Sequence, residues 1–219
     1  MLQQLEEYCT YLLEYNKHTN LTAIREKEEV YLKHFYDSLT LVKAVDFSKI
    51  NTFVDIGSGA GFPGIVLKIF YPHLCGTLID SNNKKTTFLE NLVDNLGLIN
   101  IEIVNDRVEN FSPTHLNSFD LVTARAVTNM PVLTELALPL VKVDGLFVAM
   151  KAKSDEELAS AMDAIELMGG SFIDVEKFIL KDNGGERSLI KIKKIRNTIM
   201  KELRSYDKII KKPLQKHGK

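Results

Sequence analysis

The stretch Phe53-Val54-Asp55-Ile56-Gly57-Ser58-Gly59-Ala60-Gly61-Phe62-Pro63-Gly64 decides how this chain reads. An apolar strand ends in an acid, a glycine loop follows, and a helix opens with Pro63 in its first turn, where the fixed φ of proline suits helix entry. Glycine is needed in such a loop because the backbone must bend sharply and approach a ligand where a Cβ would collide. Gly59-x-Gly61-x-x-Gly64 fits the dinucleotide fingerprint. Asp80 follows about twenty residues on, at the end of the next strand, where an acid can hold a ribose diol. A glycine turn without a ligand is the competing reading. It is disfavoured because spaced glycines after a strand weaken the fold unless something uses the space.

Outward from the loop, short apolar runs alternate with amphipathic helices. Strands are expected at Thr52–Ile56, Cys75–Asp80, Ile101–Asn105, Leu121–Ala124 and Leu146–Met150, with helices near Pro63–Phe70, Lys84–Leu96, Met130–Leu140 and Asp155–Met168. That alternation predicts a parallel sheet with crossover helices on both faces. Two further strands, Ser171–Leu180 and Arg187–Ile195, flank a Lys-Asp-Asn-Gly-Gly-Glu segment whose Asn-Gly step signals a hairpin. The fold class is therefore α/β and Rossmann-like, a seven-stranded and mostly parallel sheet with an antiparallel C-terminal pair. Before it, Leu2, Leu5, Tyr8, Cys9, Leu12 and Leu13 recur at helical spacing, and a second series runs through Val30, Leu32, Phe35, Leu39, Leu41 and Val42. The turn-favouring residues of Asn16–Thr22 separate the two series. Three regions follow: an N-terminal helical cap over 1–50, the α/β domain over 51–196 and a basic tail over 197–219.

The chain has 219 residues, 45% of them apolar and 26% charged, which suits one α/β domain with a modest extension. Its net charge of −1 hides an asymmetry. Residues 1–190 carry 17 basic and 27 acidic side chains, whereas 191–219 carry 11 and 2, so a polyanion would meet the protein at its C-terminal end. Cys9 and Cys75 lie far apart without CxxC or Cys/His spacing, which supports neither a disulfide framework nor a metal site and makes a reducing cytoplasm the default. No apolar run approaches the roughly 18 residues of a membrane span, and Glu6 and Glu7 are unlike a signal peptide. No heptad or apolar stripe argues for a dimer, so a monomer is expected.

Two features favour S-adenosylmethionine over a dinucleotide as the ligand of the glycine loop. Asp55 is a carboxylate placed to orient the loop and a cationic amino group, and it would be awkward beside a pyrophosphate. The antiparallel C-terminal pair is a feature of methyltransferase sheets that dinucleotide domains usually lack. Asp80 is expected at the ribose hydroxyls, with the N-cap of the following helix as its alternative role. The segment Asn105-Asp106-Arg107-Val108-Glu109 occupies the position where such folds lay adenine against backbone amides.

The motifs DIGSGAGFPGI, LIDSNNKKTTFL, NDRVE and FDLVTARAV, with YNKHTNLTAI and HFYDSL near the N-terminus, resemble the glucose-inhibited division protein B family, RsmG. The likeness runs from about Tyr15 to Ile195. It implies a methyltransferase acting on N7 of a guanine in 16S ribosomal RNA, position 527 in the usual ribosomal numbering, with S-adenosylmethionine as donor and the 16S rRNA or 30S subunit as partner. It also implies donor contacts at Gly57, Phe62, Val108, Glu109 and Arg125, with Asp80 at the ribose; Asp55, Ser58, Gly59 and Gly61 of the glycine loop are further candidate donor-binding residues. The family usually ends in a Pro-Arg-Lys segment, a Gly-x-Pro turn and Lys-x-Pro-Leu, of which this chain keeps Lys211-Lys212-Pro213-Leu214.

Guanine N7 has an in-plane lone pair and no proton, so its methylation needs positioning groups rather than a base. The sequence agrees by omission, having no Asn-Pro-Pro-Tyr motif for amino groups and no Pro-Cys nucleophile for pyrimidine carbon. Arg125 is the candidate catalytic residue, since a guanidinium can hold a guanine O6 or a phosphate in fixed geometry; an ordinary strand-end ion pair is the alternative. Phe62 could pack on the donor or belong to the core. His34 and Asp37 fit either RNA contact or a capped helix. Lys151 and Lys153 on the active face, with Arg196, Arg204, Lys211 and Lys212 in the tail, are candidate phosphate contacts or solvated charges. A noncatalytic RNA-binding assembly factor and a dinucleotide-dependent oxidoreductase remain as alternatives.

Overall fold

The computed structural model describes residues 1–152, 155–182 and 184–216. Helix α1, Leu2–Thr19, buries Leu5, Tyr8, Cys9, Leu12 and Asn16 along one stripe and ends at Asn20, whose φ of 53° makes a left-handed cap. The buried Asn16 amide closes the turn that follows, donating to the Thr22 carbonyl at 2.9 Å and accepting the Thr22 N–H at 3.1 Å. A second helical run combines α2, Lys27–Val30, a π-helical segment, Tyr31–Tyr36, and α3, Asp37–Leu39, before a 3-10 turn. Together these elements form the expected all-helical cap.

The α/β part runs β1 (Thr52–Ile56), α4 (Gly64–Phe70), β2 (Cys75–Ile79), α5 (Asn83–Asn95), β3 (Ile101–Val104), α6 (Val108–Phe111), β4 (Phe119–Arg125), α7 (Met130–Ala137), β5 (Val141–Lys151), α8 (Asp155–Leu167), β6 (Gly170–Leu180) and β7 (Gly185–Lys194). A last helix, α9, spans Tyr206–Lys211. Sheet order is β3-β2-β1-β4-β5-β7-β6, with β7 antiparallel to both of its neighbours. The chain leaves β1 toward β2 on one side and β4 on the other, so the carboxyl ends of β1 and β4 flank the crevice where open parallel sheets bind ligands.

Each face of the sheet is covered. The cap, α4 and α5 pack on one side through Tyr8, Phe35, Phe88 and Leu89, and α7 and α8 pack on the other through Leu133, Ala161 and Ile165. Strands β4 and β5 start earlier than their apolar runs suggest. β5 carries the exposed residues Lys142, Val143 and Asp144 near its start, and its register with β4 shifts between Phe119 and Leu121.

The segment 197–219 was expected as a separate basic tail, but its described part is docked. Glu135 on α7, almost fully buried, receives the Arg204 guanidinium at 2.7 and 2.8 Å and the Leu214 N–H at 2.7 Å, while Lys216 pairs with Glu166 on α8 at 2.5 Å. Thr198 and Ile209 are buried beneath it. Charge in this region therefore serves partly to attach the chain to the acidic body.

Lys194, at the end of β7, is fully buried, with no carboxylate paired to it among the described residues. Its Nζ donates to the carbonyls of Leu138 at 2.6 Å and Met168 at 3.0 Å and to the Thr198 hydroxyl at 2.5 Å. Burial, helped by the charge of Arg196, lowers its pKa to about 7. Between that value and the ordinary lysine pKa of about 10.4 the unfolded chain binds the extra proton, so this group's contribution to stability rises with pH. Urea unfolding at pH 7 and pH 9 should show the parent gaining about 2 kcal/mol more than Lys194→Met over that interval. Equal slopes for the two proteins would mean that the ammonium is not depressed.

Candidate functional site

The glycine loop is built around two carboxylates. Asp55, fully buried on β1, accepts the Gly64 N–H at 2.9 Å with Oδ2, and its Oδ1 has no hydrogen-bond partner among the described residues. Burial pushes its carboxyl up to about 7, against the opposing pull of the Gly64 N–H and the charge of Arg125. Pro63 is the N-cap of α4, which begins at Gly64. Asp55 thus fixes the far end of the loop to the strand that launches it.

Asp80 fixes the loop's middle. Its Oδ2 accepts the Gly59 N–H at 3.0 Å, its Oδ1 accepts the Asn82 N–H at 2.9 Å, and Lys85 lies 3.5 Å away. Asn82, not Asp80, is the N-cap of α5, accepting the Lys84 N–H at 3.0 Å. The N–H groups of Gly57 and Ser58 both donate to the Ile79 carbonyl, which draws the loop down onto the end of β2. Gly61 has a φ of 96°, and a Cβ there would stand 2.7 Å from Ile65 Cγ1 and 2.8 Å from Tyr8 Oη. No side chain fits that position.

The cap reaches the same loop from the other side. Tyr8, whose hydroxyl burial holds well above its ordinary pKa, donates to the Ala60 carbonyl. Phe62 is buried and stacks on Tyr8 with ring centroids 5.3 Å apart and on His34 at 4.3 Å. Phe62 is therefore core at the junction of cap and loop.

Arg125, at the end of β4, lies 5.0 Å over the Phe62 ring and donates to the Lys33 carbonyl at 3.2 Å, Asp37 Oδ2 at 3.1 Å and His34 Nδ1 at 3.2 Å. A guanidinium only donates, so His34 Nδ1 accepts, and its Nε2–H donates to the Thr22 hydroxyl at 2.9 Å. Burial first, and the charge of Arg125 second, lower the His34 pKa to about 3, which keeps that ring neutral. Asp37 also accepts Arg187 from β7 at 2.9 Å. Of the two readings the sequence left for Arg125, the structure displays the strand-end ion pair.

A cavity of about 260 Å³ opens at the carboxyl ends of β1, β2 and β4. Of the residues expected at a donor, Gly57, Asp80, Val108 and Glu109 line it; Asp55, Ser58, Gly59, Gly61, Phe62 and Arg125 stand outside its lining. It is completed by Ser81, Lys85, Asp106, Arg107, the Ala126–Thr128 loop, Leu136 and Tyr206. The loop after β4, where Ala126 has a φ of 55°, could have been proposed from its place beside the switch point. Tyr206 had no signal in the sequence, because its approach depends on how the tail docks. The charged lining is mixed: Asp80 lies 3.5 Å from Lys85, Glu109 lies 3.6 Å from Arg107, and Asp106 adds a third carboxylate.

The expected phosphate contacts divide. Lys151 is nearly buried, paired with Glu157 at 2.8 Å and donating to the Thr128 carbonyl; Arg196 pairs with Glu202 at 2.9 Å and Arg204 with Glu135. Each was a candidate phosphate contact or solvated charge, and each is paired with a neighbouring carboxylate. Lys153 lies outside the described residues. Lys211 and Lys212 remain exposed, as do Lys201 and Lys208.

A seven-stranded sheet in this order, with its antiparallel seventh strand and a cavity at the switch point, is the architecture of a class I methyltransferase. The solved 1,6-didemethyltoxoflavin-N1-methyltransferase of Burkholderia thailandensis, bound to S-adenosylhomocysteine, superposes with a TM-score of 0.60 at 15% identity, over 87% of this chain and 90% of its own, a likeness of fold. The chain belongs to the GidB family, the rRNA small subunit methyltransferase G proteins, whose family model matches residues 1–203. Ribosomal RNA small subunit methyltransferase G of Halalkalibacterium halodurans is 50% identical over 216 residues, 97% of this chain and 91% of the relative. The protein of the same name from Bacillus subtilis is 47% identical over 217 residues, covering 98% and 91%.

Proposed function

We propose that this chain, acting as a monomer in the cytoplasm, methylates N7 of a single guanine in small-subunit rRNA, guanine 527 of 16S rRNA, from S-adenosylmethionine. The observation that carries the reading is the cavity at the switch point, which gathers Asp80, the glycine loop and the segment 106–109 around one space. In this reading Asp80 accepts both ribose hydroxyls, the backbone at Val108 and Glu109 meets the adenine, and Gly57 lets the donor lie close to the chain. Asp55, Ser58, Gly59 and Gly61 hold the loop in shape without touching the donor.

When bound, S-adenosylmethionine supplies an electrophilic methyl on a sulfonium. Because N7 attacks through a free lone pair, no residue has to accept a proton, and none of the carboxylates around the cavity needs that role. The protein's work is alignment, to which well-oriented reactants can contribute about 7–11 kcal/mol of the barrier. Arg125 acts as a positioning residue in this scheme, tying the cap to the end of β4 through Asp37 and bracing Phe62 against the loop. RNA would be met by the exposed Lys211 and Lys212, with an affinity that falls as salt rises.

The test is transfer of labelled methyl from S-adenosylmethionine to 30S subunits and to naked 16S rRNA lacking the modification, followed by borohydride and aniline cleavage. Strand scission at guanine 527 is the expected result. Label at another base would overturn the assigned target, and RNA binding without label would favour the noncatalytic assembly factor.

A further inference from the structure

The ring of Tyr206 lines the same cavity as Asp80 although it comes from the last helix, three residues past the end of the family match at 203. The neighbouring contacts leave little freedom for that placement. Two residues before it, Arg204 grips the buried Glu135 carboxylate, and one turn after it Ile209 is buried against the α7 side of the core. Helix α7 thus anchors the segment through Glu135 and supplies the adjacent Leu136 to the cavity wall. The Arg107 guanidinium lies 4.7 Å from the centre of the Tyr206 ring, and both belong to the cavity lining. No hydrogen bond holds the Tyr206 hydroxyl among the described residues.

A tyrosine ring backed on one face by a guanidinium is a polarisable stacking surface, and a planar heteroaromatic ring is what such a surface binds. We propose that Tyr206 and Arg107 form the stacking platform for the adenine of the methyl donor, so that the docked C-terminal segment is part of the donor site and not only an RNA-facing tail. The inference rests on the donor-cavity reading above. Adenine is preferred to the target guanine because the platform abuts 106–109, on the same cavity as the Asp80 carboxylate.

The chain contains no tryptophan, so Tyr206→Trp places a single indole on the platform. Its emission should change saturably with S-adenosylhomocysteine and with adenosine, and should not respond to homocysteine. Tyr206→Leu, which keeps apolar bulk but has no π face, should weaken S-adenosylhomocysteine binding about tenfold, the scale of one lost aromatic stack. It should also raise KM for the donor while leaving kcat within about twofold. Tyr206→Phe should bind like the parent, since the ring and not the hydroxyl makes the platform. Unchanged donor affinity in Tyr206→Leu with a raised KM for RNA would overturn the proposal and give the ring to the target base. A Tyr206→Trp signal absent at saturating S-adenosylhomocysteine would overturn it as well. Failure of the underlying reading looks different: Asp80→Ala would then bind S-adenosylhomocysteine as tightly as the parent.

Discussion

Asp80→Ala should weaken S-adenosylmethionine binding by about 100-fold or more. Two hydrogen bonds from ribose hydroxyls to an ionised carboxylate contribute about 1.5–3 kcal/mol each, and 1.4 kcal/mol is a factor of ten. The substitution also removes the acceptor that fixes the Gly59 N–H at 3.0 Å and the Asn82 N–H at 2.9 Å, so the loop loses its central anchor along with the proposed ribose contact. Asp80→Asn separates the two effects. An amide keeps one acceptor oxygen, enough for one of those N–H groups, and should recover part of the melting temperature while leaving donor affinity poor. Isothermal titration with S-adenosylhomocysteine, read beside thermal melting, measures both. An affinity for Asp80→Ala within threefold of the parent would remove Asp80 from the donor site.

How far this site could be read from the letters depends on whether a residue acts through its neighbours in the chain or across the fold. The glycine loop and Asp80 are local features: strand, turn and acid at fixed spacing imply backbone geometry directly, and β1, β2 and α4 form with nearly the expected bounds. The Asn-Gly step likewise anticipated the β6–β7 pairing. Arg125 shows the limit. Its place at the end of β4 was legible, but its partners Lys33, His34 and Asp37 lie about ninety residues away on the cap, and no periodicity reveals such a pairing. The tail misled for a related reason. Eleven cations in the last 29 residues read as a contact for a polyanion, yet two of them, Arg204 and Lys216, pair with Glu135 on α7 and Glu166 on α8. Charge counts along a chain do not show which opposite charges the fold brings within 3 Å.

The second large effect belongs to Asp37. Its carboxylate is 4% exposed and divides its oxygens between two arginines, Oδ2 to Arg125 at 3.1 Å and Oδ1 to Arg187 at 2.9 Å, whose side chains are only 16% and 20% exposed. One acid on the cap thereby joins the end of β4 to the start of β7. A buried ion pair is weak evidence of net stabilisation over an apolar substitute, but removing one partner alone leaves uncompensated charge and costs about 3–5 kcal/mol. Here two guanidinium groups would be stranded. Neighbouring His34 cannot relieve them, being held neutral, and the Lys33 carbonyl already accepts from Arg125. Asp37→Ala should therefore lower the melting temperature by roughly 10 °C, given about 2–4 °C per kcal/mol for a chain of this size. Asp37→Asn, which keeps the shape and one acceptor, should fall between. Because Arg125 also braces Phe62, and Phe62 stacks on Tyr8 against the glycine loop, loosening the pair should raise donor Kd as well as lower stability. Adding Arg125→Met and Arg187→Met to Asp37→Ala removes the stranded charges and should restore much of the melting temperature without restoring donor affinity. If the triple variant melts no higher than Asp37→Ala, the loss comes from packing around residue 37, and the charge argument fails.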